Sequence, residues 1–469
     1  MSSTIPHILV LPFPAQGHIL PLIDLLHRLC LGFNLRFTVV ITPGNSPLLT
    51  HLVDSHPSLI NTLILPLPSH PSLPPGVENL RDLGASGILN IHAALKHLCP
   101  HISHWFHSQK NPPVAVIYDF FLGWTVSLAR ELTIPCFVYY STGAFSVSII
   151  EYCWRHEYIR EMESVEIREI PGSPCFKVDE LSTSFRRYKK NDPESESFRD
   201  GFLSNFNAYG CIISTFEGIE DRYVSYIAQD KGHDRVYCVA SPSFQGFEEK
   251  IDSDPDWKMG WVFDWLDGCP SESVIYVCFG SQKFMSEEQM RGIAGGLEES
   301  GKRFVWVVKS SPRNGRVPEG FEERMREEGR GIVVKEWAPQ RRILGHKSVG
   351  VFLSHCGWNS TLEGIQCGVR FLTWPMQAEQ YLNAWLLEKE LGVGARVCEG
   401  CDSIPDPKSL GGVIRLWDAE AEDENAAKAM TAALKRKADA AIVEGGSTIV
   451  NIRKLANHFS HLAAQRSCF

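Results

Sequence analysis

The chain has 469 residues, too many for one hydrophobic core, and two domains of similar size are expected. Hydrophobic residues make up 44% and charged residues 22%, as in a globular protein, and 46 Lys and Arg against 55 Asp and Glu give a net charge of −9 that argues against a nucleic-acid partner or an anionic membrane surface. No run reaches the roughly 18 apolar residues that a membrane span requires. The N-terminus shows neither a basic leader nor a long apolar stretch, so a cytoplasmic protein is expected. Fourteen cysteines are scattered without a framework and read as reduced thiols. Cys398 and Cys401 form one C-x-x-C with no second pair, which argues against zinc.

Apolar runs and helical patterns alternate along the chain. Strands are predicted over 7–11, 36–42, 61–65, 114–118 and 136–140, with helices over 19–31, 88–106 and 124–131 between them. The charge-rich run 184–199 reads as a solvated loop. Residues 240–257, polar and with two prolines, are the best linker candidate. The scheme then repeats, with strands over 274–279, 304–308, 349–353 and 371–373 and helices over 287–299, 362–367 and 378–390. A last helix is predicted over 447–463. Such alternation implies α/β architecture, with parallel sheets covered by helices on both faces. The expected division is a domain over 1–240, a linker over 241–257 and a domain over 258–446.

The richest stretch for chemistry runs from Trp337 to Gln380. Its apolar run 349–354 is long enough for one buried strand, and His355-Cys356-Gly357 turns out of it. Asn359 or Ser360 is then placed to cap a helix, whose N-terminus offers backbone N–H groups and a positive dipole end to a phosphate. Ser360 and Glu363 also fit a plain S-x-x-E capping box. Upstream, Trp337 and the Ala338-Pro339-Gln340 turn suit a flat base, for which stacking is worth roughly 1–3 kcal/mol. Asn359-Ser360-Thr361 also fits a glycosylation acceptor, read as a chance match.

Ligands of doubly wound sheets sit outside the carboxyl ends of the strands. Gly17-His18 follows the first predicted strand and Asp119 ends the fourth. His18 is placed to act as a general base, with Asp119 fixing the tautomer of its ring. The plainer reading makes His18 a helix cap and Asp119 a structural carboxylate. Two rival classes fail on context. Gly296 to Lys302 matches most of a phosphate-binding loop, but Arg303 stands where Ser or Thr must hold magnesium, and the run ends a helix instead of opening one. No G-x-G-x-x-G follows a predicted strand, which removes a dinucleotide oxidoreductase.

The 44 residues from Trp337 to Gln380 resemble the signature motif of plant secondary-product glycosyltransferases of glycosyltransferase family 1, which use UDP-sugars. Pro12-Phe-Pro-Ala-Gln-Gly-His-Ile-Leu-Pro21 and the Phe279-Gly280-Ser281 turn extend the likeness over the chain. The resemblance implies the GT-B fold: two doubly wound, Rossmann-like domains facing across a cleft, the first for the acceptor and the second for the UDP-sugar. It implies that the last helix crosses back to the N-terminal domain. It assigns Trp337 to the uracil face, the Ala338 backbone to the base edge, Gln340 to the neighbourhood of the ribose and Glu363 to its hydroxyls. His355, Asn359, Ser360 and Ser281 are assigned to the diphosphate, and Trp358, Glu379 and Gln380 to the sugar, with Gly17 and Gly357 completing the donor set. His18 and Asp119 become the catalytic pair of an inverting transfer to a hydroxyl. Phe120, Phe121, Tyr140 and Phe145 are candidates for a small aromatic, flavonoid-like acceptor pocket, although aromatics also fill cores. No metal and no cofactor beyond the UDP-sugar co-substrate is expected, and the chain is expected to be monomeric.

Two positions depart from the family pattern. Arg370 stands where Pro is usual, and Glu379 where Asp is usual, which bears on sugar preference. Trp358 and Gln380 resemble glucose users; rhamnose or xylose transfer, C-glycosylation and non-catalytic UDP-sugar binding are the alternatives.

Overall fold

Strands buried on both faces have no polar side to alternate with, and the chain writes them as short continuous apolar runs. The computed structural model describes residues 5–84, 87–240, 259–280, 283–311, 313–335, 337–417 and 422–466; the expected linker 241–257 and Ser281 lie outside them. The chain divides into two units, Met1–Glu249 with Ala440–Phe469, and Lys250–Asp439.

In the N-terminal unit, β1 (His7–Leu11), β2 (Arg36–Ile41), β3 (Ile60–Ile64), β4 (Ala115–Asp119), β5 (Cys136–Tyr140), β8 (Gly210–Ile213) and β9 (Val236–Cys238) form one sheet in the order β3-β2-β1-β4-β5-β8-β9. All its pairs are parallel. Strands β6 (Ser164–Glu166) and β7 (Cys175–Lys177) form a separate antiparallel ribbon. The order reverses between β1 and β4, the switch point at which such sheets hold ligands beyond their carboxyl ends. Ile8, Val10, Phe37 and Val39 pack with Leu22, Leu25, Leu26 and Leu29 of the helix Gln16–Gly32. The C-terminal helix Ser447–Arg466 belongs to this unit and adds Ile452, Leu455 and Phe459 to the same core. The Phe459 ring meets Phe137 edge-on at 5.0 Å.

In the second unit, β10 (Val274–Cys278), β11 (Arg303–Val307), β12 (Gly331–Val334), β13 (Val349–Ser354), β14 (Arg370–Thr373) and β15 (Gly394–Arg396) give the order β12-β11-β10-β13-β14-β15, again parallel throughout. This is the doubly wound 3-2-1-4-5-6 arrangement, with its switch point between β10 and β13.

The structure departs from the sequence reading where short or polar segments are concerned. The predicted helix 88–106 is two helices, Ile88–Lys96 and Cys99–Ser108, because Pro100 cannot donate to a continuous ladder and instead opens the second. The predicted loop 184–199 contains the start of a helix, Pro193–Asn205. Asp192 caps it by accepting from the Ser195 N–H at 2.9 Å, and Phe198 and Phe202 are its buried face. The helix predicted over 378–390 is an α-helix, Gln380–Trp385, followed by a π-helical turn, Leu386–Glu390.

One buried carboxylate fixes the N-terminal unit's fold near β5. Glu220, 1% exposed, accepts from the Ala144 and Phe145 N–H groups at 2.9 and 2.8 Å and from the Thr215 hydroxyl, so it anchors the start of the helix Ala144–Arg155. Burial pushes its carboxyl above the ordinary carboxylate range, and the three donors pull it back. Glu220→Ala leaves three donors unpaired in the interior and is expected to cost about 3 kcal/mol, read as a lower urea midpoint. An unchanged midpoint would show that water replaces the carboxylate.

Candidate active site

The helix Gln16–Gly32 begins directly beyond β1, and His18 occupies its first turn. No side chain caps this helix. His18 is therefore not a cap; its Nδ1 bonds Asp119 Oδ2 at 2.8 Å instead. Asp119 is wholly buried at the end of β4, and its second oxygen accepts from the Phe121 N–H at 3.0 Å. A buried carboxylate is tolerable only when so satisfied. With Asp119 accepting from Nδ1, the tautomer inferred from the bonding leaves Nε2 as the basic nitrogen. Three rings surround the imidazole: Phe120 stacks at 5.5 Å, Phe121 is tilted at 4.8 Å and Phe13 at 5.5 Å. Asn205, buried, holds the turn after β4 by donating to the Phe120 carbonyl at 2.7 Å and accepting from the Tyr118 hydroxyl at 3.1 Å. Asn205 has no sequence signature, because its partners lie 85 and 87 residues away.

Of the four aromatic acceptor candidates, Phe120 and Phe121 gather on His18, while Tyr140 and Phe145 do not. Tyr140 is 1% exposed and donates to Glu151, and Phe145 is fully buried against Tyr223 at 4.8 Å. These two lie in the core away from the imidazole, whereas Phe120 and Phe121 stand beside it.

The second unit repeats the plan. His355 leaves the end of β13, and Gly280 lies just beyond the neighbouring β10. Cys356 takes a left-handed conformation (φ 63°), a strained state for a residue with a side chain. Two bonds hold it there: the Ser354 hydroxyl accepts from its N–H at 3.0 Å and buried Asn383 donates to its carbonyl at 2.9 Å. The helix Trp358–Cys367 then begins, with Gly357 at its N-cap and no side-chain cap. The expected caps, Asn359 and Ser360, and the S-x-x-E box all lie inside the first two turns, so these side chains are spent on something other than capping. Gln340, opening the helix Gln340–Leu344, donates to Glu363 at 2.7 Å and to Ser360 at 3.0 Å. Trp337 stands 57% exposed beside buried Ala338, as a stacking platform requires. Trp358 is 2% exposed. Gln380 Oε1 accepts from the Met376 and Gln377 N–H groups at 3.0 and 3.1 Å, which leaves its Nε2 to donate. Burial pushes the His355 ring down to about 4, which favours the neutral imidazole, and among the described residues its Nδ1 has no hydrogen-bond partner.

The family profile for UDP-glucoronosyl and UDP-glucosyl transferase matches residues 261–399. UDP-glycosyltransferase 89A2 of Arabidopsis thaliana is 45% identical over 98% of this chain and 97% of its own. The chain belongs to the plant UDP-glycosyltransferases. Flavonol 3-O-glucosyltransferase UGT89B1 of Arabidopsis thaliana is 40% identical over 98% of the chain and 97% of its own length. Crystal structures of Arabidopsis thaliana UGT89C1, complexed with UDP-L-rhamnose and with quercetin, each superpose with a TM-score of 0.78 at 32% identity, covering 97% of this chain and all of that one. The two Rossmann-like units are those of the GT-B fold, and the chain is an enzyme, a UDP-glycosyltransferase.

In this UDP-glycosyltransferase the two departures from the family motif separate. Arg370, 2% exposed on β14, donates to the Trp417 carbonyl at the end of the helix Pro407–Leu416. A guanidinium there offsets the helix dipole and is a fold contact. Glu379 sits at the N-cap of Gln380–Trp385 without capping it. The preceding Ala378 is left-handed (φ 55°), so this short turn carries strain next to the two residues assigned to the sugar.

The His355 ring is clamped by glycines. A Cβ at Gly280 would lie 2.8 Å from its Cε1 and Nε2, and one at Gly357 2.7 Å from Nε2. Gly280→Ala and Gly357→Ala are each expected to displace the ring and weaken UDP binding about tenfold by calorimetry, equivalent to ~1.4 kcal/mol. Gly280 also has φ 73°, so its variant adds about 1 kcal/mol of backbone strain and a lower melting temperature. Full UDP affinity in both variants would mean that His355 does not touch the nucleotide.

Proposed function

We propose that the enzyme transfers glucose from UDP-glucose to a hydroxyl of a flavonoid or related phenolic, with inversion at the anomeric carbon. The observation that carries the reading is the 2.8 Å bond from His18 to the buried Asp119 at the switch point of the N-terminal sheet. In this reading the N-terminal unit receives the acceptor and the C-terminal unit the UDP-sugar. His18 Nε2 takes the proton of the acceptor hydroxyl, and Asp119 stabilises the imidazolium that forms. The hydroxyl oxygen attacks the anomeric carbon from the face opposite UDP, which departs with the electron pair of the glycosidic C–O bond. An α-linked donor thus gives a β-glycoside. Such base assistance supplies about 10²–10⁴-fold.

The charge on the departing diphosphate is met by the N-terminus of Trp358–Cys367 and by His355, Asn359, Ser360 and Ser281, with no metal ion required. Trp337 stacks on uracil, the Ala338 backbone pairs with its edge, and Gln340 steadies Glu363 for the ribose hydroxyls. Gly17 and Gly357 let the backbone approach the donor. At the sugar, the Gln380 amide donates and the Glu379 carboxylate accepts, a pairing suited to adjacent equatorial hydroxyls such as those of glucose, with Trp358 beside them. The acceptor class is supported by what the relatives act on or bind, a flavonol for one and quercetin for the other. UDP-L-rhamnose, bound by UGT89C1, supports rhamnose transfer as a second reading. The enzyme is taken to work as a cytoplasmic monomer.

His18→Ala is expected to lower kcat/KM at least about 10³-fold, and Asp119→Asn about 10²–10³-fold, with UDP affinity unchanged. A His18→Ala enzyme that still turns over near the wild-type rate would sink the mechanism. A mass-spectrometric screen of UDP-glucose, UDP-rhamnose, UDP-xylose and UDP-galactose against flavonols is expected to show a hexose added from UDP-glucose. Transfer from UDP-rhamnose alone would transfer the assignment to the second reading.

A further inference from the structure

A cavity of about 450 Å³ opens in the N-terminal unit at a place that the transfer reaction does not use. Cys136 begins β5, Tyr209 immediately precedes β8 and Arg235 immediately precedes β9, and all three line the cavity. It therefore lies at the amino ends of strands whose parallel neighbours β1 and β4 carry His18 and Asp119 at the carboxyl ends. A five-residue strand, about 16 Å, separates the two edges of the sheet. The volume is that of a small-molecule site, for which ~300–1,000 Å³ is usual.

The lining is one-sided in charge. Arg130, Lys231, His233 and Arg235 contribute to it, and no Asp or Glu does. Lys231 is already matched by Glu151 at 2.8 Å, both nearly sealed from water. Arg130 and Arg235 have no ion pair with any described carboxylate. Arg235 donates Nε to the Tyr209 carbonyl and lies 4.4 Å over the Tyr209 ring, so its outer N–H groups remain for a ligand. Both ring nitrogens of His233 are shielded from water, and among the described residues only the nearby Ala208 and His233 backbone comes close to them, short of good hydrogen-bond geometry. Orphaned polar atoms of this kind are rare in folded proteins and call for an explanation. Guanidinium forks fit the oxygens of a carboxylate or phosphate, and the Tyr209 and Phe206 rings beside them offer flat apolar wall.

We propose that this cavity is a second ligand site, for a small anion with an aromatic body, such as an aryl phosphate or aryl carboxylate. Its anionic group lies between Arg130 and Arg235 and accepts from His233, and its ring lies along Phe206 and Tyr209.

Calorimetry on the intact enzyme saturated with UDP, which occupies the donor site, tests this with phenyl phosphate as the probe. Inorganic phosphate and benzamide serve as the comparisons. The expected result is phenyl phosphate binding that exceeds inorganic phosphate several-fold, with none for benzamide. Arg130→Glu is expected to weaken it about tenfold or more. Asn207→Trp, at the exposed rim, fills the cavity without changing its charge and is expected to abolish binding. Both variants should glycosylate the acceptor at the wild-type rate, which also reports that they fold. Absence of binding to the UDP-loaded enzyme overturns the proposal, as does equal affinity in wild type and Asn207→Trp. Equal affinity for inorganic and phenyl phosphate overturns the aromatic part of it.

Discussion

A carboxylate with no exposure to solvent, Asp119, sets the chemistry of the N-terminal unit. Moving an isolated carboxylate from water to the interior costs far more than any single contact returns, so it must be bonded on both oxygens. The Phe121 N–H takes one and His18 Nδ1 takes the other. That requirement orients the imidazole more firmly than packing alone, since rotating the ring away would orphan the carboxylate. The aromatic wall of Phe13, Phe120 and Phe121 adds to this by keeping water from the bond. Asn205 and Glu220 act further out, the first holding the turn that carries Phe120 and Phe121, the second the start of the next helix.

The second unit solves a related problem by the opposite means. Its ligand-facing end relies on backbone in unusual conformations. Cys356 and Ala378 are left-handed, Gly280 and Gly357 leave room for the His355 ring, and Ser354 and Asn383 hold the turn. On the proposed assignment, the imidazole beside an uncapped helix start supplies the donors for the departing diphosphate. Both units place these groups at the switch point of a parallel sheet, where the divergence of neighbouring helices leaves an opening. The shared position follows from sheet topology, and the different chemistry from the residues that each topology happens to carry there.

Strands β1 and β5 were legible to the residue, because each is a buried apolar run bounded by turn residues. The short strands β8, β9, β12 and β15, of three or four residues, were not, since so few residues carry no periodicity. The helix Pro193–Asn205 was hidden by its charge, although Asp192-Pro193 followed by two acidic residues is a start signal. In the site, His18 and Asp119 stand out by their places at the ends of predicted strands, and the helix at Trp358 by the spacing of the motif around it. The supports do not. Nothing in Asn205, Glu220 or Asn383 marks it from sequence, since each is defined by partners 5 to 85 residues away or more. Tyr140 and Phe145 show the converse: aromatic identity alone does not distinguish a pocket wall from core.

Arg370 and Glu379, the two departures from the family pattern, sit on different elements of the second unit. Arg370 donates to the carbonyl at a helix end, so its replacement of Pro ties β14 to the end of Pro407–Leu416. On the proposed donor assignment, the turn from Gln377 to Gln380 holds the departure from the family pattern, Glu379, that lies beside the sugar. Gln380 ties that turn to Met376 and Gln377 through its own oxygen, so the orientation of its amide is set by the backbone and not by the ligand. Glu379, one methylene longer than the usual Asp, hangs from a strained neighbour at the mouth of the helix. On the proposed assignment, a donor group in a fixed place beside an acceptor on a longer arm suits sugars with two neighbouring hydroxyls. Discrimination of that kind, resting on one methylene, is worth only about 1–3 kcal/mol, so the length of Glu379 by itself shifts sugar preference without fixing it.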